Sequence, residues 1–346
     1  MMKQIQGEHD YKLIDLLKFL CAYLVIEIHT HPFQSISILL DKFFYYNISN
    51  YAVPFFYACT GYFLIVNQPG KSLHTKLVYR IRKIVKIYVM WSIAYLPLTV
   101  YGWIVEGNQS LEYALLCVRN YIFVGENFYS WTLWYLNGLI FALFLIDILS
   151  KRISIKQIVR FGSGVYLIGV VLTALGSHQD KLPSLLAFLV NAFFSIFVTT
   201  RNGLFQSLVF VSLGMYIANR EKEGKLKETL NKVKIVALTY LIKIPVSLIE
   251  GGQYLSQMLD LPIFYILFCL IIYEGSKVKL HGTFYEKLRA LSGTIYFVHM
   301  YFVALCALVL YKEDYHNFTS FFICAGSATL IAVFFENMKE RKRFNR

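Results

Sequence analysis

Charge is scarce in this sequence, and negative charge is scarcest. The 346 residues hold 21 acidic side chains against 34 basic ones, and only 16% of positions are charged. Soluble globular chains carry roughly a quarter, so a fold wetted on every side is excluded. Cysteine is sparse too: Cys21, Cys59, Cys117, Cys269, Cys306 and Cys324. None forms a CxxC pair, which argues against a zinc site and a disulfide framework. Most lie inside apolar runs and read as small packing residues. No low-complexity tract or internal repeat is visible. The first apolar run is interrupted by Lys18 and Glu27 and is followed by no small-x-small cleavage site, so it reads as a retained span rather than a signal peptide. The Asn47 and Asn317 sequons are short patterns and carry no weight.

What is abundant is hydrocarbon. The chain is 57% hydrophobic, with mean hydropathy +0.52, and many stretches approach or exceed the ~18 apolar residues that cross a bilayer. Isolated apolar spans must satisfy their backbone internally. The fold class expected is all-α, a polytopic membrane helix bundle. Ten spans are read near 13–30, 48–66, 84–105, 131–150, 158–176, 203–219, 235–250, 255–274, 289–311 and 318–336. The net charge of +13 comes in short clusters between these spans, so no nucleic-acid partner is expected.

Charge sets the topology. With both termini cytoplasmic and 183–200 kept on the outer side as an interfacial or re-entrant element, 27 of the 34 basic residues fall inside and five outside. The first cytoplasmic segment holds Lys3 and Lys12, and the last runs from Lys339 to Arg346. Making 183–200 a full crossing would throw the last three basic clusters outside, against the positive-inside rule. The stretch 111–124 reads as a second outer interfacial element. The segment 219–234 is a solvated, mixed-charge loop, and no soluble domain is expected after the last span.

A few ionisable residues sit inside spans, where each costs ~2.5–3.5 kcal/mol. Lys18 and His29 are eleven residues apart, which places them within ~20° on one helix face and ~16 Å apart along the axis. Glu27 points roughly 200° away from His29 and is expected to meet another span. Lys243 also lies within a span. Ser292, Tyr296 and His299, at i, i+4 and i+7, form one polar stripe. Plainer readings stand beside these: Lys18 snorkelling to the interface, His29 as a packing residue, the stripe as interhelical glue. His31, before Pro32, reads as interfacial. In "AVPFFYACTGYFL", Pro54 is able to kink the helix and Gly61 to admit a neighbour. Before the third span, Arg80 and Lys83 lie at i, i+3. They read either as a positive-inside anchor or as an anion site at a helix start, suited to cofactor phosphates.

These stretches together resemble the acyltransferase family 3 membrane proteins. The matching elements are Lys18-x10-His29 after "IDLLKFL"; Val53, Pro54, Phe56, Tyr57, Thr60 and Gly61; Arg80-x-x-Lys83; Leu133, Trp134, Tyr135 and Leu136; and Ser292, Tyr296 and His299. Lysine replaces the second arginine of the basic pair, Lys86 stands where proline is frequent, and Thr60 replaces serine. A narrower resemblance, carried by "IHTHPF" and Thr200–Ala218, is to the membrane half of the serine racemases linked to vancomycin resistance. That half is thought to move serine, and the racemase half of those proteins is not seen here.

The resemblance implies a multi-pass O-acyltransferase of a cell membrane, the bacterial cytoplasmic membrane by expectation. It would take an acyl group, acetyl first, from cytoplasmic acyl-CoA. The acceptor would be a hydroxyl of a polysaccharide, a lipid-linked sugar or a small molecule. The partners are then the bilayer, acyl-CoA and the acceptor, with a homodimer left open and no metal expected. His29 is the candidate base, with Glu27, Tyr296 and His299 as further catalytic candidates, Tyr296, Ser292 and His299 donating near the reacting carbonyl. Lys18, Arg80, Lys83 and Ser292 are the acyl-CoA-binding candidates. The rival reading is a transporter of a small polar solute such as serine. A regulatory scaffold gives no reason to bury such residues.

Overall fold

The computed structural model describes residues 11–67, 69–105, 110–125, 127–278 and 280–344. Lys3, Lys279 and Arg346, counted above among the cytoplasmic charges, lie outside them. Among the described residues there are fourteen α-helices and no strand. They are α1 (Lys12–Thr30), α2 (Ile38–Asn47), α3 (Ala52–Val66), α4 (Leu73–Val105), α5 (Leu111–Phe123), α6 (Leu133–Leu149) and α7 (Ile155–Gly176). Then follow α8 (Ser184–Phe197), α9 (Leu208–Lys222), α10 (Leu226–Leu230), α11 (Val233–Leu248), α12 (Gly252–Gly275), α13 (Phe284–Leu305) and α14 (Phe318–Phe344). Among the described residues, five segments are long and apolar enough to cross a membrane: Leu73–Val105, Ile155–Gly176, Gly252–Gly275, Phe284–Leu310 and Phe318–Lys342. α1, with 19 residues, has the length but carries Lys12, Asp15, Lys18 and Glu27.

Local chemistry fixes the helix ends. Ser154 and Gln157 form a reciprocal capping box at the start of α7, which satisfies two orphan amides at once. Ser37 and Ser110 cap α2 and α5 through their hydroxyls. Asn202 accepts from the amides of Leu204 and Phe205 at 3.0 and 3.1 Å and opens a π-turn that leads into α9. α1 ends where His31 turns left-handed at φ 41°.

The core is built on close helix contact. α3 packs along α9, and α1 along α13, which in turn packs on α14. Gly61 of α3 lies against the Val211 carbonyl, and Gly214 of α9 against the Ala58 carbonyl; a methyl group at either would collide with backbone. Small residues at such crossings bring helix backbones together where lipid supplies no hydrophobic drive. α4 lies at the periphery with Val89, Ile93, Leu96 and Val100 exposed, a face suited to lipid.

Three expectations need correction. α4 starts at Leu73, not at 84, and its 33 residues run ~50 Å, past the ~30 Å hydrocarbon core. Arg80 and Lys83 therefore sit two to three turns inside a helix, so no helix start supplies an anion site there. Pro54 falls in the first turn of α3, where the missing amide costs no bond, and so it does not kink the helix interior. The stretch 31–47, left without an element, contains α2. The helices at 184–197 and 111–123 have 14 and 13 residues, ~20 Å each. Arg119 on α5 donates to the Ser195 carbonyl on α8 at 2.5 Å and ties them together.

Candidate active site

α1 and α13 run against each other and carry most of the sequence-derived candidates. Two cavities open near the two ends of α1. The one near its C-terminal end, about 540 Å³, is lined by His29, His31, Asp41, Lys42, Tyr45, Tyr46, Trp131, Trp134, Thr199 and Arg201, with Ile28. The one near its N-terminal end, about 370 Å³, holds Lys18, Arg80, Asp15, Arg289, Thr60 and Tyr135 among its lining residues. The eleven-residue spacing of Lys18 and His29 thus spans two separate chambers.

In the His29 cavity the imidazole of His29 stacks on Trp131, with centroids 5.8 Å apart, and lies 5.5 Å from the ring of His299. Among the described residues no protein group hydrogen-bonds to either nitrogen of His29. His299 is fully buried, and its Nδ1 is 3.1 Å from the Ile295 carbonyl. A carbonyl only accepts, so Nδ1 carries a proton, and in the neutral ring Nε2 is left with a bare lone pair that meets no partner among the described residues. The neutral His299 ring therefore offers an acceptor next to His29, whereas the sequence reading has it donating near the reacting carbonyl. His31 Nδ1 pairs with Asp41 Oδ2 at 2.9 Å, and Arg201 donates to the Tyr45 hydroxyl at 3.0 Å.

In the Lys18 cavity the Lys18 ammonium sits 4.5 Å over the Phe63 ring, a favourable cation–π placement. Arg289 reaches Asp15 at 3.5 Å. Arg80 lines this cavity, whereas Lys83 is exposed and does not. Arg289 shares the helix stripe of Ser292 and Tyr296; reading that stripe one turn further back would have found it. Ser292 is buried and its hydroxyl donates to the Arg289 carbonyl at 2.9 Å, so it is spent within α13 and lines neither cavity.

The divide between the cavities is aromatic. Tyr296 meets Tyr135 and Phe56 edge to face at 5.4 and 5.7 Å, and its hydroxyl donates to the Thr132 carbonyl at 3.4 Å. Trp134 faces the His29 cavity while its neighbour Tyr135 faces the other. Thr60 donates to the Phe56 carbonyl at 3.0 Å within its own helix.

Glu27 is not brought to His29. It is buried, neither carboxyl oxygen finds a hydrogen bond in the described residues, and the equally unpartnered Ser49 hydroxyl lies beside it. Ser49 falls in the turn before α3, within the stretch 48–66 read as the second span.

One charged pair escaped the sequence reading. Lys243 of α11 is fully buried and meets Asp260 of α12 at 2.8 Å. Its ammonium also donates to the Tyr46 carbonyl at 2.6 Å and to Asn47 Oδ1 at 3.4 Å. Asp260 in turn accepts from Tyr51 at 2.7 Å and Asn50 at 3.3 Å. Tyr46 and Asn47 end α2, so Lys243 places a cation on that helix's last carbonyls, where one is stabilising. Lys243 was visible mid-span; an acid mid-span in 255–274 was the signal for its partner. Among the described residues no three His, Cys, Asp or Glu side chains come together to hold a metal.

The chain is similar to three curated proteins. An "Amino-acid racemase" of Enterococcus faecalis is 28% identical over 355 aligned positions, which cover 98% of this chain and 48% of the relative. A second one of that name from the same organism is 28% identical over 66% of this chain and 30% of the relative. A "Serine/alanine racemase" of Enterococcus gallinarum is 26% identical over 85% of this chain and 41% of the relative. The chain thus spans half or less of the length of these relatives. No solved structure matches it. Residues 11–336 match the family described as "Acyltransferase domain", and the chain belongs to that family of acyltransferases.

Proposed function

We propose that this chain is a multi-pass membrane O-acyltransferase that moves an acyl group, acetyl first, from acyl-CoA at the Lys18 cavity to a hydroxyl held in the His29 cavity. The observation that carries the reading is the pair of cavities at the two ends of α1. One presents Lys18 and Arg80, and the other the His29 imidazole, which hydrogen-bonds to no protein group among the described residues. In the proposed topology ten spans place both termini and the Lys18 cavity on the cytoplasmic side of a bacterial cell membrane. Acyl-CoA is made there, and its phosphates would meet Lys18 and Arg80 as charge-assisted contacts. The pantetheine arm would pass the Tyr296–Tyr135–Phe56 divide.

In the reaction the acceptor oxygen attacks the thioester carbonyl while His29 takes the hydroxyl proton. The carbon–sulfur bond then breaks, and the proton passes from His29 to the leaving thiolate. An ester and free CoA thiol result, with no net proton released. The lone pair on His299 Nε2 would orient His29 or steady it while it holds the proton. Lys83 and Ser292, outside both cavities, have no part in this step.

A second reading is favoured by the names of the relatives, one of which is a serine/alanine racemase. In it the His29 cavity holds a small polar solute such as serine for transport and no thioester is involved. Thermal unfolding of the purified protein with increasing acetyl-CoA separates the two. A saturable rise in melting temperature, with slow acetyl-CoA hydrolysis that His29→Ala abolishes, is expected for the transferase. No shift at saturating donor favours transport.

A further inference from the structure

His31 is a second imidazole in the His29 cavity, where the sequence reading had only an interfacial residue. It closes α1 in the left-handed region, at φ 41° and ψ 55°, a conformation that a residue with a β-carbon keeps only when its surroundings fix it. Three groups do so. The ring stacks on Tyr45 with centroids 5.6 Å apart, and it meets His316 edge to face at 5.1 Å. Asp41 of α2 accepts from its Nδ1 at 2.9 Å. Asp41 is itself buried, and its second oxygen is closed off from solvent, so the carboxylate acts on the cavity through the ring.

A carboxylate only accepts, so Nδ1 of His31 carries a proton, and in the neutral ring Nε2 keeps its lone pair. Among the described residues no protein group hydrogen-bonds to that nitrogen. A carboxylate behind an imidazole sets its tautomer and its direction. His29 has no such backing, since its neighbours are the rings of Trp131 and His299. The two imidazoles therefore differ in kind: His29 is free to take up a proton, and His31 is fixed to receive a hydrogen bond. Charge narrows what it receives. Lys42 and Arg201 line the same cavity and disfavour an ammonium group there, which leaves a neutral O–H as the donor. His29 and His31 are two residues apart in the chain, so that hydroxyl must stand close to the reacting one on the acceptor's skeleton.

We propose that His31, positioned by Asp41, binds a second hydroxyl of the acceptor beside the one that reacts, and so selects vicinal diols over simple alcohols. This rests on the acyl-transfer reading, in which His29 takes the proton of the reacting hydroxyl. His31 touches the acceptor; Asp41 is a positioning residue that acts through it.

The purified full chain in micelles tests this, with acetyl-CoA as donor and 1,2-propanediol or 1-propanol as acceptor. The measured quantity is ester formed per acetate released, a ratio that does not depend on how much of a variant folds. The wild type should favour the diol about tenfold, the order of one hydrogen bond to the substrate. His31→Phe should abolish that preference, and His31→Gln, which keeps an acceptor, should restore part of it. Asp41→Asn should weaken it, because the new amide donates to Nδ1 and moves the ring proton to Nε2. Equal ratios for the two alcohols in the wild type, a preference that these variants keep, or acetate with no ester from either alcohol overturns the proposal. If acetyl-CoA is not turned over at all, the acyl-transfer reading fails instead. ¹⁵N histidine spectra without donor then decide on His31, whose signals are those missing in His31→Phe. The diol should shift its Nε2 resonance more than 1-propanol does, and less in Asp41→Asn; a resonance indifferent to the diol overturns the binding role.

Discussion

His29 and His299 face each other across the α1–α13 contact, their ring centroids 5.5 Å apart and their planes tilted by 33°. The two rings are not equivalent. The Nδ1–H of His299 is held by its own helix, so in the neutral ring its other nitrogen is an acceptor, while neither nitrogen of His29, which lines the cavity, hydrogen-bonds to a protein group among the described residues. This predicts unequal losses. His29→Ala should cost acyl transfer about 10²–10⁴-fold with little change in melting temperature. His299→Phe should cost less, and should lower kcat without raising the KM for acyl-CoA. His299→Gln, which keeps an acceptor, should stay closer to wild type than His299→Phe. Steady-state kinetics on the three variants check this, and an unimpaired His29→Ala would remove the imidazole from the mechanism.

Arg80 and Lys83 look interchangeable in the sequence, but in the structure they are not. Arg80 lines the Lys18 cavity and Lys83 points to an exposed face of α4. Arg80→Ala and Lys18→Ala should each raise the KM for acyl-CoA by about ten- to a hundredfold, the scale of one charge-assisted contact of ~1.5–3 kcal/mol. Lys83→Ala should leave it within twofold. Equal effects at Arg80 and Lys83 would mean that the basic cluster acts as a diffuse anchor.

The opposite ends of α1 were legible because helical periodicity is local arithmetic. Lys18 and His29 share a face whatever packs against it, and the Ser292–Tyr296–His299 stripe follows from the same rule. What needed the tertiary fold was anything joining helices distant in the chain. The meeting of His29 with His299 depends on α1 packing on α13. The Lys243–Asp260 pair depends on α11 lying against α12, and on the end of α2 reaching both. The start of α4 was misplaced because its first turns are amphipathic and basic, so hydropathy sees only the apolar part of one continuous helix. α2 was missed for a related reason: ten residues ending in "FFYYN" are too short to read as a span and too apolar to read as a loop.

His316, in the loop between α13 and α14, gives a pH prediction. Burial, and then the neighbouring His31, hold its imidazole below the ordinary histidine value, with Asp41 pulling the other way. The unfolded chain therefore binds this proton first as the pH falls. Stability is full above the unfolded value of ~6.5 and declines as the pH drops below it. Melting temperatures between pH 8 and 5 should fall on the acid side, and His316→Asn should flatten that fall. An unchanged acid slope in the variant would assign the loss to other groups.

The buried pair of Lys243 and Asp260 yields a prediction that separates stability from function. Lys243→Met leaves a buried carboxylate held only by Tyr51 and Asn50, and breaking such a pair costs ~3–5 kcal/mol. The double variant Lys243→Met/Asp260→Leu removes both charges, and apolar replacement of a buried ion pair is often neutral or stabilising. Its melting temperature should therefore recover most of the loss. Function should not follow. The ammonium of Lys243 also holds the Tyr46 carbonyl and the Asn47 side chain, at the end of the helix that brings Asp41, Lys42, Tyr45 and Tyr46 to the His29 cavity. Without that cation the end of α2 keeps only its hydrogen bonds to Ser247 and Tyr240 of α11 among the described residues, a looser hold even in a stable protein. The double variant should keep the KM for acyl-CoA and show a raised KM for the acceptor. Recovery of both stability and acceptor KM together would make the pair a staple of the bundle with no hold on the site.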